Sequence, residues 1–426
     1  MKSVRMTKDS TTSGGVKRNL LIFLAAALVR LILFRIPAVT DTLVTRVETT
    51  TPLTSYKRLC EGVYLFQHGL PPYDGGIFHH PPLFLPLFQI FLQLPQFFTH
   101  LIYIVADLAI AYGLSEVTRR KQQIYSNKKA LDEERGKAEI TPFSVAALYL
   151  FNPLTIASCV SKSTVIFSNA AIVGAVVYAT KAEISLSMFW LAAASYHSFY
   201  PIMLVVPLVM LISSQRSEWR RTAVESAGFL AIWLSALLGL SYLLVGSWDF
   251  IHSTYGLILS VSDLTPNVGL FWYFFIEMFD QFRTFFLVVF QLHAFTFTVP
   301  FSIKFSEHPL FVVFLLTTVM ALFKSYPSIG DAALYMGFFP IYHEIFKYIR
   351  LGFLSANLYL YAAALSPVFW YLWVWAGTGN ANFFYAVTLV YNSAQVVLLV
   401  DAVFAFLRRE YDLEHPEARG KEIIQK

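Results

Sequence analysis

Charged side chains are too scarce in this sequence to cover a water-exposed surface. They account for 14 % of the 426 residues, whereas hydrophobic residues account for 56 %, and the mean hydropathy is +0.57. Soluble domains carry roughly 25 % charged residues, so a soluble globular protein is excluded. A disordered chain is also excluded, because disorder requires low hydrophobicity together with high charge. The composition therefore leaves an integral membrane protein.

Apolar stretches long enough to cross a bilayer recur along the chain. A membrane-spanning helix needs ~20 mostly apolar residues. The sequence lacks the period-two pattern of ~10-residue segments that is typical of outer-membrane barrels. We therefore predict an all-α polytopic membrane protein with about twelve spans. They lie at residues 20–36, 99–118, 143–161, 164–180, 183–198, 200–213, 224–246, 282–303, 308–323, 331–346, 351–376 and 383–406.

Two long segments interrupt this series. Residues 37–98 are polar and turn-rich at first, and their last part, 81–98, is apolar but broken by Pro82, Pro86 and Pro95. Proline ends or kinks a helix, so we predict a re-entrant or interfacial segment there. Residues 247–281 are apolar as a whole but contain several acidic residues and a proline. We predict that both segments are loops on the same side of the membrane.

The positive charges indicate the orientation. With both termini in the cytosol, the predicted cytosolic segments hold 24 of the 32 Lys and Arg residues, and the opposite loops hold five: Arg46, Lys57, Arg58, Lys162 and Lys324. Positive charge accumulates on the cytosolic side of membrane proteins. We therefore predict cytosolic tails at 1–19 and 407–426 around a membrane domain at 20–406. Within it, loops 37–98 and 247–281 are luminal and loop 119–142 is cytosolic.

Polar residues gather at the predicted luminal end of the membrane domain. Asp263 and Asn267 lie in the second luminal loop, and Lys324 and Asp331 flank a predicted luminal turn. Ionisable groups at membrane depth are costly and often mark a functional site. The alternative is that these residues cap helices or pair with one another. The sequence leaves both interpretations open.

Two aromatic segments lie at the same boundary. Phe271-Trp272-Tyr273-Phe274-Phe275 could grip acyl chains, or it could form an interfacial aromatic belt. Asn380-Ala381-Asn382-Phe383-Phe384-Tyr385 stands where a loop enters a helix. There, Asn could cap the helix, or its amide could hydrogen-bond a sugar or phosphate headgroup. Both alternatives stay open for each segment.

We predict no catalytic group, no metal and no cofactor. His79 and His80 are adjacent and lack a third ligand at helical spacing, and Cys159 lacks a recognisable base. Cys60 and Cys159 could pair only if both face an oxidising lumen, and two unpaired thiols are the simpler interpretation. The chain has no Gly-rich phosphate loop, and we expect no nucleic-acid partner.

Three stretches resemble the PIG-U family, the class U subunits of glycosylphosphatidylinositol (GPI) transamidase. One runs from Ser247-Trp248-Asp249-Phe250 through Asp263-Leu264-Thr265-Pro266-Asn267 to the 271–275 aromatics. The others are Phe323-Lys324-Ser325-Tyr326-Pro327 with Gly330-Asp331, and residues 380–385 with Phe406-Leu407-Arg408-Arg409-Glu410-Tyr411. The similarity extends from about residue 20 to residue 411.

The resemblance implies a multi-pass protein of the endoplasmic reticulum membrane in a multi-subunit complex. Such a complex replaces the C-terminal hydrophobic signal of a protein with a GPI anchor. Its cutting cysteine belongs to the PIG-K subunit, and its other partners are PIG-T, PIG-S and a peptidase-like membrane subunit. The class U subunit would then bind the GPI glycolipid, among other membrane lipids, or the attachment signal of the proprotein.

The same family is similar to GPI mannosyltransferases of the GT-C class. Those enzymes carry an acidic pair early in the first luminal loop. The matching region here, Arg46-Val47-Glu48-Thr49-Thr50-Thr51-Pro52, keeps one acid and has a threonine in place of the other. The resemblance therefore implies a GT-C-like architecture without transferase chemistry, and an active luminal mannosyltransferase is the alternative. The candidate GPI- or lipid-binding residues are Asn380, Asn382, Phe383, Phe271, Trp272, Tyr273, Phe274, Asp263, Asn267, Lys324 and Asp331.

Overall fold

The computed structural model describes residues 13–126, 140–216 and 218–418, and those residues form helices and no β-strand. The first ten α-helices are α1 (Ser13–Phe34), α2 (Pro37–Thr45), α3 (Tyr56–Gln67), α4 (Phe84–Gln93), α5 (Gln96–Ser126), α6 (Pro142–Leu150), α7 (Pro153–Val160), α8 (Val165–Ala179), α9 (Ile184–His197) and α10 (Val205–Arg216). A 3₁₀ turn at Tyr200–Leu204 leads into α10.

The second half has ten more. They are α11 (Trp219–Val245), α12 (Asp249–Ile251), α13 (Leu257–Ser260), α14 (Phe271–Glu277), α15 (Asp280–Thr296), α16 (Thr298–Lys304), α17 (Pro309–Phe323), α18 (Ile329–Phe338), α19 (Gly352–Val374) and α20 (Ala381–Glu414). A π-helical turn, His252–Gly256, joins α12 to α13, and 3₁₀ segments lie at Phe339–Tyr348 and Pro416–Ala418.

Several of these helices can cross a membrane. By length and composition, five helices in the described part of the chain qualify, or up to seven if each of two bent pairs is one span. The bent pairs are α1 with α2, which meet at 88°, and α6 with α7, which meet at 56°. This confirms an all-α polytopic membrane protein. The count of twelve spans stays a prediction.

The predicted loops contain more helix than their composition indicated. The segment 37–98 contains α2, α3 and α4, and 247–281 contains α12, α13 and α14. Helix α5 runs to Ser126, into the predicted cytosolic loop 119–142, and residues 127–139 lie outside the described part. Helix α20 likewise passes residue 406 and ends at Glu414. Of the predicted N-terminal tail, residues 1–12 are outside the described part.

Helix α17 lies at the centre of the bundle. Every residue from Pro309 to Leu322 is buried, and the helix packs against α10, α15, α16, α18 and α20. Helix α11 lies at the periphery, where apolar side chains such as Val224 and Leu243 are exposed. A helix that is apolar on all sides is buried in a core or faces lipid. The bundle thus has a protein-packed centre and an apolar outer surface.

Arg30 lies inside the first predicted span and is fully buried. Its Nε donates to Asp107 Oδ2 of α5 at 2.6 Å, and a second guanidinium nitrogen donates to the Leu150 carbonyl of α6 at 2.9 Å. Tyr149 donates to the other carboxylate oxygen of Asp107 at 2.9 Å. The network satisfies a charge at membrane depth and joins three helices.

Candidate ligand-binding site

Helix α14 is positioned by a tight turn before it. Asn267 is fully buried, and its side-chain oxygen accepts from the Gly269 backbone N–H at 2.8 Å. A Cβ atom at Gly269 would lie 2.6 Å from the Pro327 ring, so only glycine fits this approach. The turn directs Phe271 and Trp272 into the protein, where both are fully buried.

Trp272 packs against helices α19 and α20 in what we call the aromatic cluster: Trp272, Tyr273, Trp370, Trp373, Phe384 and Tyr385. The Trp272 ring centroid lies 6.1 Å from that of Phe384 and 5.7 Å from that of Tyr385. Tyr385 also donates to the Leu270 carbonyl at 3.1 Å. The structure thus brings the two aromatic segments of the sequence analysis together.

Phe271 and Phe274 contact α15 instead. Their ring centroids lie 5.0 and 4.6 Å from that of Phe290. Because Phe271 and Trp272 have no exposed surface, a ligand would meet the half-buried Tyr273 and Phe274 first. The Trp272 indole N–H is buried and has no hydrogen-bond partner among the described residues.

The two asparagines at the start of α20 differ in their bonding. The Asn380 side chain accepts from the Phe383 backbone N–H at 3.4 Å and caps the helix. Asn382 is exposed, and Phe383 beside it is 49 % exposed. The capping interpretation therefore applies to Asn380. The Asn382 amide is available at the surface, next to an exposed ring and two residues before Phe384 of the aromatic cluster.

The turn after α2 reaches the same cluster. Val47 is buried against Trp272 and Phe384, and the Arg46 guanidinium lies 5.7 Å from the Trp370 ring centroid. The Arg46 Nε donates to the Glu48 carboxylate at 2.8 Å, and Ser366 also donates to that carboxylate. Glu48 is therefore held by two side chains.

Sequence reasoning missed three members of this site. Arg46, Trp370 and Trp373 were not among the candidate residues, although all three contact the cluster or belong to it. Two tryptophans three residues apart lie on one face of a helix. That spacing, shortly before the Asn380 segment, is a signal that could have identified Trp370 and Trp373.

Asp263 and Arg58 form an ion pair near the start of the α14 turn. The Arg58 guanidinium donates to Asp263 at 2.8 Å, and the Thr265 backbone N–H donates to the same carboxylate at 2.9 Å. Burial opposes ionisation of Asp263, but the Thr265 and Arg58 interactions outweigh it and lower the pKa of the carboxyl. The pair fixes the segment before α14 to helix α3.

Lys324 and Asp331 pair with each other. Their side chains are almost fully buried and lie 2.8 Å apart, and Asp331 also accepts from the Ser328 backbone N–H at 2.9 Å as part of the α18 cap. Neither residue belongs to the aromatic cluster. The structure therefore gives this predicted pair a capping and pairing role.

No metal ligand set lies within the described residues. No group of three or more His, Cys, Asp and Glu side chains is placed to hold an ion there. His79 bonds the Ser253 carbonyl at 2.8 Å, and His80 is buried. Cys60 and Cys159 are free thiols.

Comparison with known proteins decides the family. The family model described as GPI transamidase subunit PIG-U matches residues 24–391. The chain belongs to the PIG-U family. The human GPI-anchor transamidase component PIGU is 40 % identical over 417 residues, which cover 93 % of this chain and 95 % of the human protein. The Saccharomyces cerevisiae GPI transamidase component GAB1 is 38 % identical over 389 residues, covering 90 % and 93 %.

The similarity includes the whole candidate site. Residues 46–48, 271–275 and 380–385 all lie inside the matched range. A GAB1 homolog from Schizosaccharomyces pombe is 29 % identical over 375 residues, covering 87 % of this chain and 89 % of its own. The family resemblance is confirmed. The relation of the PIG-U family to GT-C mannosyltransferases stays a prediction.

Proposed function

We propose that this chain is a non-catalytic component of GPI transamidase that holds the GPI glycolipid. The complex would attach GPI anchors to proteins at the endoplasmic reticulum membrane. The expected partners are PIG-K, PIG-T, PIG-S and the peptidase-like membrane subunit. Membership of the PIG-U family supports the complex, and the surroundings of Asn382 support the ligand.

Two features of one helix pair carry the ligand proposal: the exposed amide of Asn382 and an apolar groove. The groove, of about 280 Å³, lies between α19 and α20 and is lined by Leu358, Tyr361, Ala362, Leu365, Val387 and Val390. Val387 is five residues after Asn382, which is about 7.5 Å along the helix axis and about 140° around it. In the proposed pose the headgroup lies at Asn382, and one acyl chain passes around α20 into the groove.

The chemistry of the residues suits such a ligand. An amide both donates and accepts hydrogen bonds, so Asn382 matches hydroxyl and phosphate oxygens without burying a net charge. The exposed Phe383 ring, which stacks 5.6 Å from Phe369, adds apolar surface between headgroup and chain. Among the original candidates, Asn382, Phe383 and Tyr273 are those we assign to ligand contact. Five polar candidates hold the surrounding backbone: Asn380, Asn267, Asp263, Lys324 and Asp331. Three aromatic candidates pack beneath that backbone: Phe271, Trp272 and Phe274.

We assign no catalytic step to this chain. Glu48 is the one acidic residue kept in the region that matches the GT-C acidic pair. Arg46 and Ser366 both bind its carboxylate. A general base must come within hydrogen-bond reach of the proton that it takes, and Arg46 and Ser366 already occupy part of the accepting capacity of this carboxylate. This bonding disfavours the mannosyltransferase alternative and supports a structural role for Glu48.

The orientation we propose places Asn382 and the first loop in the lumen and both termini in the cytosol. The distribution of Lys and Arg supports it. In that orientation the glycan of a bound anchor would emerge on the side where the proprotein arrives.

The test is an Asn382→Ala variant in the assembled complex. Losing one hydrogen-bond partner costs roughly 1–3 kcal/mol, or about one to two orders of magnitude in affinity. We expect weaker binding of GPI and slower anchor attachment, while the other subunits still co-purify. Asn380→Ser is the matched control, because serine keeps the cap, and it should bind GPI normally.

Two results would contradict the proposal. Unchanged GPI binding by Asn382→Ala would exclude the amide contact. Weaker binding of the attachment signal, with GPI binding intact, would assign the groove to that attachment signal instead.

A further inference from the structure

Lys162 differs from the other predicted luminal cations. Arg46, Arg58 and Lys324 each form an ion pair with an acid, and Lys57 is exposed. Lys162 is only 8 % exposed. Within the described part of the chain, its ammonium group has no ion-pair or hydrogen-bond partner, and it lies 4.4 Å from the Tyr56 ring centroid. A buried charge without a counter-charge is unfavourable, so this lysine needs an explanation.

The backbone at Lys162 is left-handed, a conformation in which lysine is uncommon. The N–H groups of Lys162 and Ser163 donate to the carbonyls of Cys159 and Ser158 at 3.0 and 3.2 Å, which closes helix α7 in a Schellman motif. Lys162 has φ = 55° at the position where such motifs usually have glycine. Positive φ alone indicates no ligand, since Ala182 shares it. A mostly buried lysine side chain without an ion pair at this position is a separate observation.

The charges around Lys162 are mostly positive. Lys162 and Arg35 both lie within electrostatic range of the His100 ring, which stacks on Phe34 at 4.1 Å between ring centroids. Two nearby groups favour the charged form of Lys162, the exposed Asp41 carboxylate and the Cys60 thiol. Neither forms an ion pair with Lys162. Burial lowers the pKa of Lys162, and Cys60 and Asp41 offset this only in part. An anion would therefore be favourable here.

The location points to the source of that anion. Arg35 follows α1 where the chain bends by 88° into α2, His100 lies in the first turns of α5, and Lys162 lies between α7 and α8. All three positions are at the predicted luminal ends of spans. Lipid headgroups occupy this level of a bilayer, just outside the hydrocarbon core.

We propose that Lys162, with His100 and Arg35, binds the phosphate of a membrane phospholipid at the luminal boundary. None of these residues belongs to the aromatic cluster, so the site is separate from the proposed GPI site. An ammonium donates three hydrogen bonds, and charge-assisted bonds to phosphate are about twice as strong as neutral ones. A bound phosphate would supply the missing counter-charge, and its acyl chains would lie against the exposed apolar surface of α1.

The test uses the transamidase complex containing this chain, purified in mild detergent and titrated by native mass spectrometry. The probes are phosphatidic acid and diacylglycerol, which share their acyl chains and differ only in the phosphate. We expect wild-type complex to retain phosphatidic acid in preference to diacylglycerol. Lys162→Gly should lose about tenfold or more of that preference, since it removes a charge-assisted donor.

The variants separate binding from folding. Glycine suits the left-handed backbone, so Lys162→Gly should assemble and melt at least as well as wild type. Lys162→Arg should keep the lipid preference, and Lys57→Gln, which removes an exposed luminal cation, should leave it unchanged. Glycerol 3-phosphate should not displace the lipid.

Three results would overturn the proposal. Equal retention of diacylglycerol would exclude phosphate recognition. An unchanged preference in Lys162→Gly would exclude this lysine as the donor. Displacement by glycerol 3-phosphate at the same concentration would mean that the site binds free phosphate rather than a lipid.

Discussion

At the scale of single residues, the bonding of Asn380 and Glu48 separates structural from binding roles. Asn380 uses its side-chain oxygen for the Phe383 N–H, and Glu48 uses its carboxylate for Arg46 and Ser366. The Glu48 carbonyl also accepts from the Ile329 N–H at 2.9 Å, so this loop residue joins helix α18 to the turn after α2. Asn382 has no such bond to the described residues and is exposed, which leaves its amide for a ligand.

Glu48→Gln should leave anchor attachment largely intact. The glutamine can still accept from Ser366, and we assign Glu48 no proton transfer. A catalytic base typically contributes ~10²–10⁴ in rate. Anchor attachment by the assembled complex is the measurement, with a Glu61→Gln variant as an exposed acidic control. A loss of that size in Glu48→Gln alone would return the chain to the transferase interpretation.

Part of this could be predicted at the residue level. The sequence predicted that the asparagines and aromatics lie close together at one membrane boundary; the two aromatic segments do meet in one cluster, and their place relative to the membrane stays a prediction. The sequence did not indicate which asparagine caps α20. That depends on the chain reversal before the helix, where Gly377 has φ = 64° and the N–H groups of Thr378 and Gly379 both bond the Leu372 carbonyl.

At the scale of secondary-structure elements, the Arg30–Asp107 pair holds helices α1, α5 and α6 together. Both side chains are fully buried. Removing one partner of a buried pair leaves an uncompensated charge, whereas replacing both by apolar residues is often tolerated.

Asp107→Leu should therefore destabilise the protein by about 3–5 kcal/mol. The double variant Arg30→Met with Asp107→Leu should recover much of that loss. Thermal melting of the solubilised complex measures both. Glu225→Gln is the control, since Glu225 pairs with Arg221 on the surface, and it should melt like wild type. If the double variant melts no higher than Asp107→Leu, the pair has no net coupling.

Hydropathy predicted most helices because a span requires a long apolar run, which any window of the sequence displays. It predicted the ends of α1 and α5 less well. The 88° bend between α1 and α2 lies directly before Pro37. A residue before proline avoids the helical region, so this break had a local signal. The extension of α5 to Ser126 had none. Lys121 there bonds the Ile341 carbonyl at 2.7 Å, and such distant partners are invisible in the sequence.

At the scale of the whole molecule, three distant segments converge on the aromatic cluster. Residues 46–48 lie in a loop, residues 271–273 begin α14 and residues 380–385 begin α20, and the contacts between them are long-range. Local patterns could predict that each segment lies at the luminal boundary. They could not predict the shared cluster, because this depends on how α19 and α20 pack beside α14.

The orientation of the whole chain can be tested by cysteine labelling of sealed microsomes. Cysteines introduced at Ser126 and Thr378 should label from opposite sides, the first cytosolic and the second luminal. Cys60 and Cys159 are replaced by serine in this experiment, since both are free thiols. Labelling from the same side would mean that the number of spans between the two positions differs from the prediction by an odd number.

The central claim is that α19 and α20 hold the GPI glycolipid. A density map of the assembled transamidase complex with bound lipid tests it most directly. We predict the GPI headgroup within hydrogen-bond distance of the Asn382 amide, and an acyl chain in the groove beside Leu365 and Val387. A map that shows GPI bound elsewhere, or an attachment-signal helix occupying this groove, would contradict the claim.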